Sequence, residues 1–449
     1  MQNNININQD KDVQYKKNFY ISVPVKFLVG HTFSLIWTVF SIYLSRNWVK
    51  DLSTIVPFFA SIIIITGIAY IPGYLNTFLV SSLLLDRQPA FKNLYPEEDV
   101  TILIAARNEA DRISDTLSYI AAQDYTGKCK VLVINNGSTD LTIVNALQSA
   151  ERLNLDVTVI NEENPGKYNA LNTGLYYATT TLILTLDADT LLHKSAVRYL
   201  VARITSSPKE VCAVAGSVLV RNSRDNLVTR IQEWDYFLGI ASIKRLQGLY
   251  QGTLVAQGAY SIYKTYNIRE VGGWPNAIGE DIVLTWNLLN KGWKVYFEPL
   301  AVAFTEVPIT LRSFARQRSR WARGMIEALK KVKPWKQPYA YIKYLTSIDF
   351  ILPYLDLTYT LCWFPGLILA LFGIYWIVGP MTLLVLPLTL LSYAILYVYQ
   401  KFVFRSLNLK VRKNLLGFIL FVLFYQMIMS PVSVWGYFQE FFKLKRKWK

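Results

Sequence analysis

Hydrophobic positions fall in blocks along this chain, and the period changes from block to block. Val25 to Leu44 is an almost uncharged run, and Ile55 to Leu85 is a second. A helix needs about 20 apolar residues to cross a bilayer core, and both runs supply them. Runs return at Phe350–Val378, Met381–Tyr399 and Leu415–Phe442. Between them short β-rich runs alternate with helical patterns. Val100–Ala105 ends in Arg107-Asn108-Glu109, and Val131–Ile134 ends in Asn135-Asn136-Gly137-Ser138-Thr139-Asp140. Asp156–Ile160 is a third run, and Leu182–Leu186 ends in Asp187-Ala188-Asp189. Strand, polar loop and helix in repetition predict an α/β domain with a mostly parallel sheet. The expected organisation is a polar tail (1–24), two membrane helices (25–86), the α/β domain (95–335), a C-terminal membrane region of three or four segments (345–442) and a basic tail (443–449). The polar start and the absence of a small-residue cleavage site argue against a cleaved signal peptide.

Composition sharpens this. Of 449 residues, 52% are hydrophobic and 17% charged, against about a quarter charged in soluble domains. Disorder, collagen-like repeats and a disulfide scaffold are excluded, and Cys129, Cys212 and Cys362 cannot form an even framework. A net charge of +16 calls for an acidic partner: nucleic acid, anionic lipid or an anionic substrate. No nucleic-acid motif accompanies the charge, so no nucleic-acid partner is expected. Lys/Arg beside the spans place the α/β domain and the Lys401–Lys413 loop in the cytoplasm of a multi-pass plasma-membrane protein. The Lys330–Lys336 cluster reads as a topology signal touching membrane lipids. One conflict follows. Three C-terminal crossings put the tail Lys443–Lys449 outside, while its charges say inside; Pro353, Pro365 and Pro431 allow broken helices, and the count stands at five or six.

The polar clusters sit at strand carboxyl ends, where open α/β sheets bind ligands. Two carboxylates as close as Asp187 and Asp189 repel unless a cation neutralises them, and Mg²⁺ is held by one or two carboxylates plus substrate phosphates. Alone, D-x-D is a weak signal; with Asp140 and Lys167 it points to a metal–diphosphate site. The chain contains neither a G-x-x-x-x-G-K-[ST] loop nor G-x-G-x-x-G. Gly279-Glu280-Asp281 precedes an apolar-periodic helix, where a cap alone would explain Asp281. Gln317-Arg318-Ser319-Arg320-Trp321 precedes the membrane, where an interfacial anchor would explain it.

Taken in order, these motifs and Gln257-Gly258-Ala259 resemble the processive, membrane-embedded family 2 glycosyltransferases: the cellulose, hyaluronan and poly-N-acetylglucosamine synthases. The likeness covers roughly residues 98–330, and Trp286–Pro308 with Gln317–Gly324 looks most like the poly-β-1,6-N-acetylglucosamine synthases. The resemblance implies a GT-A (Rossmann-like) domain between the membrane regions and inverting transfer from a UDP-sugar, UDP-N-acetylglucosamine first. The acceptor it implies is a growing β-linked glycan, with export coupled to synthesis and room for accessory export subunits. By the same resemblance Asp189, with Asp187, holds Mg²⁺ or Mn²⁺, and Asp281 is the general base, Glu280 the less favoured one. Ala105, Arg107, Glu109, Asn136, Lys167, Asp187, Arg318 and Arg320 contact the donor; Gln257, Gly258, Gln317 and Trp321 contact the acceptor.

Asn135 and Asn136 stand where the family carries carboxylates, the second of which contacts uracil in relatives; an amide both accepts and donates there. A transferase adding one sugar to a lipid acceptor shares the catalytic set, and a non-enzymatic transporter or scaffold draws only on the two asparagines. His193 reads as a helix-surface residue rather than a metal ligand. His31 reads equally as packed or as lining a polar path. Asp349 and Asp356 share a helix face, at a pore or at the interface. Trp234, Trp274, Trp286 and Trp293 read mainly as core.

Overall fold

The computed structural model describes residues 21–379, 382 and 385–444. Expectations for residues 1–20, for Met381 at the head of its run and for residues 445–449 fall outside them. The central domain is an eight-stranded sheet in the order β3-β2-β1-β4-β7-β6-β8-β5. Its first four strands are β1 Val100–Ala106, β2 Cys129–Asn135, β3 Val157–Asn161 and β4 Leu182–Asp187, all mutually parallel. They are followed by β5 Leu191–Leu192, β6 Val211–Val220, β7 Tyr260–Lys264 and β8 Lys294–Thr305. β7 runs antiparallel to both β4 and β6, and β5 antiparallel to β8. The sheet is therefore mixed but mostly parallel, as expected, with β7 and the two-residue β5 the reversed strands. Tyr260 to Tyr263 alternates polar and apolar groups like a half-exposed strand, yet all four residues are buried; tyrosine hydroxyls let a central strand look amphipathic. Helices bury one apolar face on each side of the sheet, giving two cores.

Register matters most at one edge. Ala105 lies opposite Asp187, Ala106 opposite Asn135, and Asn135 opposite Asn161. The four parallel strands thus end together, and every polar loop noted in the sequence opens on that edge.

Among the described residues five helices are long and apolar enough to cross a membrane: Val23–Leu44, Phe58–Leu84, Ala340–Leu371, Leu386–Ser406 and Leu415–Phe441. Two of them contain a π-helical turn, Thr66–Tyr70 before Pro72 and Tyr359–Trp363 before Pro365. Proline has no N–H to donate, so the ladder shifts just ahead of it. Pro353 and Pro431, in contrast, sit inside continuous helices. Gly67 lets the second helix touch Thr358, since a Cβ there would lie 2.7 Å from its hydroxyl.

Candidate active site

The site grows from the Gln257–Ala259 loop, which leads into β7. The Asp187 N–H donates to the Ala259 carbonyl at 3.2 Å, fixing the loop beside the end of β4. Lys167 opens the helix Lys167–Tyr177, and its ammonium meets the Asp187 carboxylate at 2.5 Å. A Cβ on Gly258 would stand 3.1 Å from that Nζ and 3.9 Å from Oε1 of Glu280, so glycine keeps the ammonium in place. The Gly258 N–H donates to Asp281 Oδ2 at 3.3 Å, and the Ile282 N–H donates to Oδ1 at 2.8 Å. Lys167, Asp187, Gly258, Glu280 and Asp281 therefore form one cluster. Burial pulls the Lys167 ammonium down, but Asp187, Glu280 and Asp281 outweigh it and hold it above the usual lysine range.

Burial, then Asp281, pushes Glu280 up to about 7, with Lys167 and Arg320 opposing. Burial, then Asp187 and Glu109, pushes Asp189 up to about 6. Thr305 donates to Asp189 at 3.2 Å. These hard oxygen donors fit a divalent cation: charge is crowded at Asp189 with too few partners to settle it. Among the described residues no group of three or more His, Cys, Asp or Glu is placed to hold a metal ion.

The Gln317–Trp321 motif lies on the helix Leu311–Lys331, started by a Thr310/Ser313 capping box. This helix is tied to the Glu280–Asn290 helix by a contact of two glycines. A Cβ on Gly324 would lie 2.9 Å from the Gly279 Cα, and one on Gly279 as close to that of Gly324. Glu327 accepts from the Ile278 N–H at 2.7 Å. Arg320 is consequently held where its charge acts on Glu280, and Trp321 lies beside Tyr236; both are exposed, Trp321 at 39%.

A glycosyltransferase like family 2 model matches residues 96–324, just over half of the chain. The chain belongs to that family. A poly-beta-1,6-N-acetyl-D-glucosamine synthase of Staphylococcus aureus (strain MSSA476) is 35% identical over 246 residues, 55% of this chain and 58% of the relative. One from Staphylococcus epidermidis is 31% identical over 269 residues, 59% of this chain and 64% of the relative. The match thus spans under two thirds of these curated relatives. A solved mannosyltransferase from Pyrobaculum calidifontis, in complex with GDP-Man and Mn²⁺, superposes with TM-score 0.58 at 19% identity. The overlap takes in 86% of this chain and 98% of that one, so the two share a GT-A fold.

Within this family 2 chain, three expected contacts are placed differently. Arg318, expected at the diphosphate, is buried in an ion pair with Asp235 at 2.6 Å, its guanidinium 4.1 Å from the centre of the Trp321 ring. Asn136, expected at the uracil, is spent inside the protein. Its amide donates to the carbonyls of Glu162 (3.2 Å) and Asn164 (2.7 Å), and its oxygen accepts from the Gly166 N–H at 2.7 Å. A carboxylate cannot make those two donations, so asparagine here clamps the loop leading to Lys167. Gln257, expected at the acceptor, bridges the Lys244 ammonium and the Gly216 carbonyl.

Glu109 pairs with Arg112 at 3.1 Å, Arg107 is exposed, and Ala105 lies beside Asp187. The side-chain oxygen of Gln317 is buried without a hydrogen-bond partner. His193 bonds the Leu407 carbonyl at 3.2 Å, tying the domain to a membrane loop. Trp274 and Trp286 are core residues at 1% and 0% exposure, while Trp234 and Trp293 bond Asn414 and Glu270. Sequence reasoning missed Thr305 and Lys244. Lys244 also donates to the Val255 carbonyl at 3.1 Å, and burial pulls its ammonium down to about 7, with Asp281 opposing. Nothing in the local sequence Ile243-Lys244-Arg245 separates it from a surface lysine.

Proposed function

We propose that this chain is an inverting glycosyltransferase that extends a β-linked glycan at the membrane, with UDP-N-acetylglucosamine as donor. The observation that carries this is the Asp281 carboxylate, held by the Gly258 and Ile282 N–H groups within the cluster that also contains Lys167, Asp187 and Glu280. In this reading the acceptor hydroxyl attacks the anomeric carbon as Asp281 takes its proton. The new C–O bond forms on the face opposite the C–O bond that breaks, and UDP leaves with the electron pair. Proton removal by a positioned carboxylate contributes ~10²–10⁴-fold. Glu280 holds its own proton to about pH 7, which limits repulsion beside the base.

Asp189, with Asp187, would hold Mg²⁺ or Mn²⁺, which as a Lewis acid stabilises charge on a departing diphosphate. Lys167 supplies a fixed positive charge beside Asp187, and exposed Arg320 offers a bidentate fork for phosphate oxygens. Trp321 presents an apolar face for the acceptor sugar. The Staphylococcus relatives are poly-beta-1,6-N-acetyl-D-glucosamine synthases, which supports the choice of sugar. The test is a screen of UDP-sugars with purified protein in nanodiscs, reading released UDP and product length. UDP-N-acetylglucosamine turnover that Asp281→Asn abolishes, with oligomeric product, is the expected result. Turnover unaffected by Asp281→Asn overturns the base, and a product carrying one added sugar overturns elongation.

A further inference from the structure

The last helix, Leu415–Phe441, qualifies as a membrane span by length and apolarity. It meets Asp356 of the third candidate span through Ser430 and Tyr437, and Tyr393 of the fourth through Phe418 and Phe421, but its two ends are held elsewhere. At its start the Asn414 amide donates to the Arg230 carbonyl at 3.0 Å, and Trp234 donates to the Asn414 carbonyl at 2.8 Å. Arg230 and Trp234 belong to the helix Leu227–Trp234 of the catalytic domain. Further along, Phe314 meets Tyr425, and Ser319 bonds Gln439 at 3.0 Å. A Cβ on Gly436 would lie 2.5 Å from the Ser319 carbonyl. At the far end Arg323 reaches Glu440 at 3.4 Å and the Leu444 carbonyl at 3.0 Å, and Lys330 reaches Glu440 at 3.1 Å. Both ends are thus bonded to the catalytic domain. A span of this length would separate its ends by about 40 Å across the bilayer. The partner helix Leu311–Lys331 carries Arg312, Arg316, Arg318, Arg320, Arg323, Glu327, Lys330 and Lys331; so charged a segment does not enter the hydrocarbon core.

We infer that the last helix does not cross: it lies along the membrane-facing side of the catalytic domain, and its partner there is the lipid of the adjacent leaflet. Its two faces fit. Gly417, Phe421, Ser433, Gly436 and Glu440 are buried, whereas Leu415 (71%), Leu423 (56%), Trp435 (52%) and Phe441 (75%) are exposed. The first four candidate helices then cross, an even number, and Lys443 emerges on the catalytic domain's side. That removes the conflict between the tail's charges and its expected location.

Two measurements test this on the full chain. Lys443→Cys, Glu97→Cys on the domain and Asp51→Cys between the first two spans, all at exposed positions, are labelled with a membrane-impermeant maleimide. Intact cells and inverted vesicles are compared, with unsubstituted protein as background. Lys443→Cys is expected to share the sidedness of Glu97→Cys and oppose that of Asp51→Cys; sharing that of Asp51→Cys overturns the inference. In the second, Ser319→Cys with Gln439→Cys is oxidised in native membranes. A cross-link in most of the protein is expected, and its absence overturns the contact on which the inference rests.

Discussion

At the scale of single residues, charge is distributed by contact rather than by motif. Asp189 holds a proton to about pH 6 because burial and the neighbouring Asp187 disfavour its charged form. A proton and a divalent ion compete for it, so Mn²⁺ binding followed by electron paramagnetic resonance should weaken about tenfold from pH 7 to pH 5. Asp189→Asn should remove both the site and that slope. Lys244 gives the opposite kind of test. Its folded value of about 7 lies below the 10.5 of an ordinary lysine, so between the two the unfolded chain binds more protons and stability rises with pH. Lys244→Met should flatten that rise in thermal melts at pH 7 and 9.5. It should also cut turnover about tenfold, because the loop whose Gly258 N–H holds Asp281 loses its hydrogen bonds. The clustering of the acids with Lys167 was legible only through the ordered set of motifs, since D-x-D alone is weak and a cap alone would explain Asp281. Lys244, Thr305 and the inward use of Asn136 were not, because each depends on a partner distant in the chain.

Among the elements, legibility followed continuity. Strands β1 to β4 are short apolar runs ending in polar loops; burial makes β1, β2 and β4 readable, and β3, at the sheet edge and half exposed, shows by its Val157-Thr158-Val159-Ile160 run. β8 carries Glu298 and Pro299 mid-strand, and its register with β6 shifts beside Gly216; a break in the hydrophobic pattern hides a strand that a buried Arg203–Glu298 pair at 2.6 Å rescues. The helix pair that assembles the site was equally silent, because Gly279 and Gly324 are unremarkable until they touch. Gly324→Ala should force the Glu280–Asn290 and Leu311–Lys331 helices apart, at about 1–3 kcal/mol for overpacking. Turnover should fall more than stability, since Asp281 and Arg320 sit on opposite sides of that contact; equal losses in melts and UDP release would place the contact in stability alone.

Over the whole molecule, the helical stretch carrying Asp235 and Tyr236, the charged helix and the last helix converge on Arg318. Its ion pair with Asp235 is buried, and Tyr425 of the last helix bonds both partners. Two residues on, Arg320 has the same chemistry and faces solvent. The helical rotation between them separates a buried, ion-paired guanidinium from the exposed one proposed to meet phosphate, which a linear motif cannot express. Arg318→Ala strands a buried carboxylate and should cost about 3–5 kcal/mol. Arg318→Ala with Asp235→Ala should recover part of that loss, since no charge is then left unpaired. Arg320→Ala should leave the melt unchanged within about 0.5 kcal/mol and reduce UDP release by about a hundredfold, the worth of a charge-assisted contact to phosphate. Thermal melts and UDP release on the same four preparations decide it: a destabilised Arg320→Ala, or an Arg318→Ala protein that melts normally and fails to turn over, would exchange the two roles.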